Sequence, residues 1–210
     1  MPKLSGLFDS FDNLDQIDIS SLSSWIKPTL VPDQLENYLA NKILYPQTIP
    51  LTELDTKIDL AILREALKHN SLKSQNFLNI TLRKMIIPER FLLYIPDLTL
   101  LTWAFVDGLL LDRRKKDFSE DLWTVVIADD NDETVGSIIL PQFDGKKDTM
   151  ELKLLGKDYK IKAGSLIVVP CPKDRCEISY KLTSGKIFGK KENALEVYGG
   201  RLGLMIDGRS

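Results

Sequence analysis

Few residues in this sequence have the type and spacing that chemistry on a substrate needs. The chain has one histidine, His69, which is followed by Asn70 and Ser71. A histidine base needs a serine or cysteine nucleophile within hydrogen-bond reach, and no spaced motif of that kind accompanies His69. A histidine at the end of a helix instead meets the last carbonyl groups and the helix dipole. We therefore expect His69 to cap a helix, and we identify no catalytic residue.

Pairs of carboxylates are the second group with chemical potential. Asp55 and Asp59 lie four residues apart in a predicted helix, and Asp129 and Asp130 lie in the acidic stretch 129–132. This stretch lacks the glycine and the distal glutamate of a calcium-binding loop, so we interpret it as a hairpin loop. An enzyme that uses carboxylates in an interdomain cleft stays open as an alternative, because nothing in the sequence selects or excludes a pair.

The two cysteines, Cys171 and Cys176, are separated by four residues. With a single histidine elsewhere they cannot complete the four-ligand shell of a structural zinc ion, so we predict no metal site. No signal peptide is visible in the first residues, and we therefore expect reduced thiols in the cytoplasm rather than a disulfide. The glycines at 6, 108 and 136 are isolated. The closely spaced Gly199, Gly200 and Gly203 lie between predicted strands, where turn geometry explains them better than a nucleotide cradle, so we predict no bound cofactor.

The composition is that of an ordinary folded protein, with 43% hydrophobic and 28% charged residues and a net charge of -2. A charge so close to zero makes a nucleic-acid partner unlikely on electrostatic grounds. The longest apolar run, residues 98–111, is shorter than the roughly 20 residues that cross a bilayer, so we predict a buried helix there and no membrane anchor.

We divide the chain into four parts. Residues 1–30 are rich in Asp and Ser without a sustained period, which predicts a flexible leader. Residues 31–112 form a helical region, residues 113–118 a basic linker, and residues 119–210 a small all-β domain. The predicted fold class is therefore α+β, a mostly helical N-terminal half followed by a small antiparallel β-barrel or β-sandwich.

Proline and capping signals predict the helices. Pro32 opens a helix that Pro46 ends, with Ile43 on its buried face. Thr52 and Asp55 resemble the capping box of the next helix, which includes Leu54 on its buried side and ends at residues 69–71. Pro88 and Pro96 each suit the first turn of a further helix. They predict a short helix from Glu89 and a longer one through Leu98, Leu101, Trp103, Phe105 and Leu109.

Strand signals begin inside the helical region and dominate after residue 119. Residues 77–87 suit a strand and a helix equally well, and that question stays open. Further along, apolar residues recur with a period of two between turn-forming residues. The predicted strands cover residues 123–127, 135–140, 150–155, 159–161, 165–169 and 176–182, followed by a terminal pair.

The terminal pair has the most informative pattern. Apolar residues at spacings of two lie on both sides of Gly199 and Gly200, between residues 195 and 206. Such glycines can take the positive φ that a tight turn demands, so we predict a closing β-hairpin, with Gly203 as a further turn glycine.

Four side chains are candidates for recognition of a partner. Asp207 and Arg209 alternate on the last strand, so they point to the same face and predict a local ion pair. Arg201 lies in the same segment. Trp25 follows the predicted leader, and an exposed tryptophan there is suited to anchoring a protein partner.

Three segments of the chain together resemble the glutamate mutase L family. They are residues 44–67, residues 163–172, and residues 197–209, which read Val-Tyr-Gly-Gly-Arg-Leu-Gly-Leu-Met-Ile-Asp-Gly-Arg. Longer members of that family have an actin-like, DnaK-like ATPase fold followed by a β-rich C-terminal part. The phosphate-binding Asp-x-Gly-Ser/Thr hairpin of such an ATPase does not occur before residue 44. The resemblance therefore implies the distal half of such a protein without its nucleotide-binding lobes.

Our leading hypothesis is a non-catalytic protein-interaction or assembly module, with a protein partner or a homo-oligomer. The alternative that the resemblance implies is an accessory component of a chaperone-like or reactivating ATPase whose nucleotide lobes lie on another chain. The carboxylate enzyme is the third alternative.

Overall fold

The computed structural model describes residues 7–8, 11, 14–26, 30–73, 84–109, 122–128 and 132–209. The chain divides into two compact units, Met1–Ile80 with Arg90–Leu111 and Thr81–Glu89 with Asp112–Ser210. Helices occupy the first unit and strands the second, which confirms the α+β class. None of the helices described is both long and apolar enough to cross a membrane. The predicted linker 113–118 and the pair Asp129 and Asp130 lie outside the described residues.

The first unit contains a short 3-10 helix and five α-helices within its described residues. They are Leu14–Gln16, α1 (Ile19–Trp25), α2 (Pro32–Leu44), α3 (Glu53–Lys73), α4 (Arg90–Tyr94) and α5 (Leu98–Leu109). The long helix α3 packs along α5 and also contacts α1, so α3 is the central element of this unit.

The flexible leader was a wrong prediction for residues 14–26. Asp18 caps α1 by accepting a hydrogen bond from the backbone of Ser21 at 3.2 Å. Leu22 is fully buried, and α1 contacts both α2 and α3. The segment folds because its few large apolar side chains are placed where α2 and α3 can cover them, which composition alone does not reveal.

All four predicted helices are present in the structure. Pro32 is the first residue of α2. Thr52 Oγ1 accepts a hydrogen bond from the Asp55 backbone at 3.0 Å, which confirms the capping interaction at α3. The short helix predicted from Glu89 is α4, which starts at Arg90, and the longer predicted helix is α5, which starts at Leu98. Neither proline lies inside its helix, because Pro88 ends β1 and Asp97 follows Pro96 as the cap of α5. Helix α3 continues to Lys73, beyond the predicted end at residues 69–71.

The second unit contains nine strands among its described residues. They are β1 (Lys84–Pro88), β2 (Leu122–Ala128), β3 (Glu133–Ile139), β4 (Thr149–Leu154), β5 (Lys157–Lys162), β6 (Leu166–Val169), β7 (Arg175–Leu182), β8 (Glu192–Tyr198) and β9 (Gly203–Asp207). Strand β1 settles the open question for residues 84–87, whereas 77–83 lie outside the described residues. Because β1 pairs with β2, a piece of the predicted helical region belongs to the β unit.

The strands form two sheets that do not close into a barrel, so the barrel in the predicted barrel or sandwich is wrong. The five-stranded sheet has the order β1-β2-β3-β9-β6, and the four-stranded sheet has the order β5-β4-β7-β8. The first sheet is mixed rather than antiparallel, because β1 is parallel to β2 and β3 is parallel to β9.

The closing hairpin was also a wrong prediction. Strand β8 pairs with β7 in the four-stranded sheet, whereas β9 lies between β3 and β6 in the other sheet. The double glycine therefore carries the chain from one sheet to the other. The two sheets share one hydrophobic core, to which Leu152, Ile178, Val197, Leu204 and Ile206 contribute.

Candidate interaction surface

The link between α2 and α3 and the helix ends beside it expose several large apolar side chains. We call residues 45–52 the connector. Six large apolar side chains on the connector and the adjoining helix ends are exposed, with Leu51 at 91% and Leu44 at 70%. The six are Ile43, Leu44, Tyr45, Ile49, Leu51 and Leu54, and we call them the apolar set. Soluble monomers seldom leave so many large apolar side chains together in water.

The sequence interpretation missed this surface. It placed Ile43 and Leu54 on the buried faces of their helices, but the structure exposes 41% and 37% of these residues. Helical periodicity identifies one stripe per helix, and it does not say whether the stripe is covered along its whole length. The available signal was the run of apolar residues beside the two connector prolines, Pro46 and Pro50, because neither proline can continue a helix or strand ladder.

The first half of the connector is a hydrogen-bonded turn. Tyr45 closes α2 by donating its backbone N–H to the Asn41 carbonyl at 2.8 Å. The Thr48 backbone N–H and Oγ1 both donate to the Tyr45 carbonyl, at 3.1 and 3.0 Å. These bonds satisfy the polar backbone, so the apolar side chains are exposed from an ordered loop.

A buried lysine fixes this turn to the helices. Lys42 Nζ donates to the Thr48 carbonyl at 2.8 Å and to Asp59 Oδ2 at 2.8 Å. Lys42 is 3% exposed and Asp59 is fully buried, so water screens their attraction little. We call this pair the Lys42–Asp59 clamp. Replacing either residue with an uncharged one would leave the charge of the other buried without its counter-ion.

Tyr38 completes the clamp. Its hydroxyl donates to Asp59 Oδ1 at 3.0 Å, and the Lys42 ammonium lies 5.5 Å from the centre of its ring. Burial, together with the charge of Asp59, raises the pKa of Tyr38 well above its ordinary value. Burial also raises the pKa of Asp59, while the hydrogen bonds from Lys42 and Tyr38 favour its ionised form.

Asp55 fixes the other end of the connector. Its Oδ2 accepts hydrogen bonds from the backbone N–H groups of Leu51 at 3.2 Å and Thr52 at 3.0 Å. The carboxylates of Asp55 and Asp59 are thus used for capping α3 and for the clamp. Together they hold the backbone of the connector while its apolar side chains point to solvent.

Trp25 has partners within its own unit. Its Nε1 donates to Glu65 Oε1 at 2.7 Å, and the Arg64 guanidinium lies 5.1 Å from the centre of its ring. Arg64 also pairs with Asp107 at 3.1 Å. The structure therefore places Trp25 in a half-buried contact between α1 and α3, where it is less available to a partner than the apolar set.

The terminal acid and base form the predicted ion pair. Arg209 donates from Nε and Nη2 to the two carboxylate oxygens of Asp207, at 3.0 and 2.9 Å. Asp207 is fully buried rather than surface-exposed. Arg209 also borders an open cavity of about 400 Å³. Arg201 makes a separate ion pair with Glu133, at 2.6 Å. The structure does not bring Arg201 to the Asp207–Arg209 pair.

The predicted turn glycines form a sheet crossing. Gly200 and Gly203 have positive φ angles of 122° and 78°. A Cβ on Gly199 would lie 2.1 Å from the Cys171 carbonyl oxygen and 2.2 Å from that of Lys173. We call this close approach the Gly199 crossing. It brings the link between β8 and β9 against the loop between β6 and β7.

The cysteines form a disulfide between Cys171 and Cys176, so the prediction of reduced thiols is corrected. This bond connects the end of β6 to the start of β7, and these strands belong to different sheets. The Cys171 carbonyl also accepts a hydrogen bond from the Gly200 backbone at 2.8 Å. The disulfide is therefore part of the Gly199 crossing.

His69 does not cap the end of α3. Its Nε2 lies 3.0 Å from Oε1 of Gln16, beside a shallow cavity of about 190 Å³. Asp18 and Glu65 are among the residues that line this cavity. Within the described part of the chain, no group of three or more His, Cys, Asp or Glu residues is placed to hold a metal ion.

Comparison of the chain with protein-family models, with curated proteins and with solved structures finds no match. The resemblance of residues 44–67, 163–172 and 197–209 to the glutamate mutase L family stays a prediction. The candidate surface therefore depends on the geometry of the connector alone.

Proposed function

We propose that this chain is a protein-interaction module that binds its partner through the apolar set of the α2–α3 connector. The observation that carries the proposal is the combination at Leu51, whose side chain is 91% exposed while its backbone N–H is bonded to Asp55. An exposed apolar side chain on a backbone that is already held can enter a partner's pocket without the cost of ordering its loop.

The size of the surface supports this proposal. From their exposed fractions, the six residues of the apolar set together expose on the order of 600 Å² of surface. At about 25 cal/mol per Å², covering even half of that area contributes several kcal/mol before the cost of association. The apolar set is therefore large enough to contain the central anchors of a standard interface.

The rigidity of the connector supports it further. Ordering a loop and its side chains on binding lowers affinity, and a loop that is already held avoids much of that cost. The Lys42–Asp59 clamp and the Asp55 cap hold the connector from two sides. We infer that the connector binds in the conformation described here.

The segment that resembles the glutamate mutase L family, residues 44–67, contains the connector. We propose that the accessory-component hypothesis, in which nucleotide lobes lie on another chain, uses this same surface. The accessory-component hypothesis is thus a special case of the interaction-module proposal, in which the partner is an actin-like ATPase.

The test is a comparison of two surface variants purified from the native cells. Leu44→Ser with Leu51→Ser removes two anchors from the apolar set, whereas Leu93→Ser removes an equally apolar side chain, 64% exposed, from α4. We expect a companion protein, identified by mass spectrometry, to be lost from the connector variant and kept by the α4 variant. Equal recovery from both variants, or a wild-type chain without any companion, would overturn the proposal.

A further inference from the structure

Charged residues surround the apolar set unevenly. Residues 31–59 contain five acidic and two basic side chains, a net charge of -3. One of the two bases, Lys42, is buried in the clamp with Asp59. The other, Lys57, is exposed and pairs with Glu53 at 2.7 Å. The surface around the connector is therefore acidic.

Exposed carboxylates adjoin the apolar set on both helices. On α2, Glu36 and Leu44 are exposed and share one face with the exposed Ala40 between them, since these residues are four apart. The rise of an α-helix places Glu36 about 12 Å along the axis from Leu44. On α3, Glu53 adjoins Leu54 and follows Leu51 by two residues. Glu36 thus lies two helical turns before the apolar set on α2, and Glu53 lies between two of its members, Leu51 and Leu54, at the start of α3.

We infer that the partner presents a basic amphipathic segment, with apolar residues that cover the apolar set and Lys or Arg residues that meet Glu36 and Glu53. This inference rests on the proposed function. Complementary charges at the rim of an apolar contact accelerate association and exclude wrong partners. An amphipathic helix with basic flanks matches both parts of this surface.

The same charges disfavour two other occupants. An anionic lipid surface would repel the carboxylates at Glu36 and Glu53. If a second copy of this chain bound through the same face, the acidic residues of one copy would lie against those of the other. Like charges brought together lower affinity. A basic protein segment avoids both penalties.

The experiment uses the intact chain and two synthetic amphipathic helical peptides of equal length, one built from Leu and Lys and the other from Leu and Glu. Fluorescence anisotropy gives the affinity of each peptide. We expect the Leu/Lys peptide to bind at least about tenfold more tightly than the Leu/Glu peptide at low salt, with the difference shrinking at high salt. Equal affinities would overturn the inference.

Charge-reversal variants locate the binding site. Glu36→Lys with Glu53→Lys is expected to weaken the Leu/Lys peptide at least about tenfold and to strengthen the Leu/Glu peptide. The matched control, Glu151→Lys with Glu177→Lys, makes the same change of net charge on the exposed face of the four-stranded sheet, at β4 and β7. An equal loss in the control would overturn the inference, because binding would then depend on net charge alone.

Two further measurements separate this inference from the proposed function. Suppose that Leu44→Ser with Leu51→Ser binds neither peptide, but that the wild type binds the Leu/Lys and Leu/Glu peptides equally well. The proposal that the apolar set binds a partner would then stand, and the inference that this partner is basic would be overturned. Unchanged peptide binding in that variant would overturn the proposed function. Binding of the wild type to vesicles rich in phosphatidylserine, or a dimer that the same variant abolishes, would replace the basic segment by a lipid surface or a second copy.

Discussion

The connector between α2 and α3 and the Gly199 crossing are both links between secondary-structure elements, but they are fixed by opposite means. Buried charged side chains hold the connector, because Lys42 binds both Asp59 and the Thr48 carbonyl. The apolar side chains of the connector remain exposed to water. Backbone contact and a disulfide hold the crossing, where Gly199 leaves no room for a side chain. The connector is built to present side chains, whereas the crossing is built to join two sheets.

The largest effect is expected from breaking the clamp. Lys42→Met should lower the free energy of unfolding by about 3–5 kcal/mol, because it leaves the buried Asp59 without its counter-ion. Urea denaturation measures this change. Lys57→Met is the matched control, and it should change stability little because its partner Glu53 is exposed. Adding Asp59→Asn to Lys42→Met should recover part of the loss, and a Lys42→Met protein as stable as the wild type would contradict the clamp.

A comparable but smaller effect is expected at the crossing. Gly199→Ala should lower the free energy of unfolding by about 3 kcal/mol, since its Cβ would overlap two backbone oxygens that cannot move aside cheaply. The control is Gly145→Ala, where the nearest atom to a Cβ lies at an ordinary 3.5 Å. Equal urea midpoints for the two variants would show that the crossing tolerates a side chain and would remove the contrast with the connector.

The disulfide should contribute less than the close packing. Replacing Cys171 and Cys176 by Ala should lower the free energy of unfolding by about 2 kcal/mol, because the bond closes only a short loop in the unfolded chain. A dithiol reductant should lower the stability of the wild type by a similar amount and leave the double variant unchanged. A wild type that is insensitive to the reductant would mean that the bond adds nothing to the crossing.

The smallest effect is expected from Tyr38 and depends on pH. Tyr38→Phe should cost about 1 kcal/mol at neutral pH, since it removes the hydrogen bond to Asp59. The raised pKa of Tyr38 means that the folded state keeps its phenol proton when the unfolded state loses it. Stability that Tyr38 contributes is therefore lost as the pH rises above about 10. Urea midpoints from pH 8 to 11 should fall more steeply for the wild type than for Tyr38→Phe, and parallel curves would contradict this.

The two links also show what the sequence could predict. Pro32 and the Thr52–Asp55 cap act within a few residues, and local signals identified them correctly. The strands from β2 to β9 were found for the same reason, because alternation and turn residues are local. The pairing of β8 and β9 was not predicted correctly, because a double glycine suits a hairpin and a sheet crossing equally well. Only contacts between residues distant in sequence distinguish the two.

The candidate site was harder to predict than the fold. Periodicity predicts that Ile43 and Leu54 are buried, but their exposure depends on whether another element reaches the helix ends. The clamp could not be predicted from the sequence either, because lysine and aspartate usually lie on the surface. Lys42 and Asp59 become informative only when the fold buries them together. Asp55 was recognised as a capping residue, but Asp59 was noticed only as its partner in a carboxylate pair, for acid–base chemistry rather than for holding Lys42.

The position of β9 between β3 and β6 has a consequence for how the second unit acquires its fold. Gly136 of β3 pairs with Gly203 of β9, so the ribosome synthesises β9 long after it has synthesised β3. Until β9 arrives, β3 and β6 each present an unpaired edge that is rich in apolar residues. Closing so long a loop is slow, and the newly made chain depends on that step to avoid aggregation.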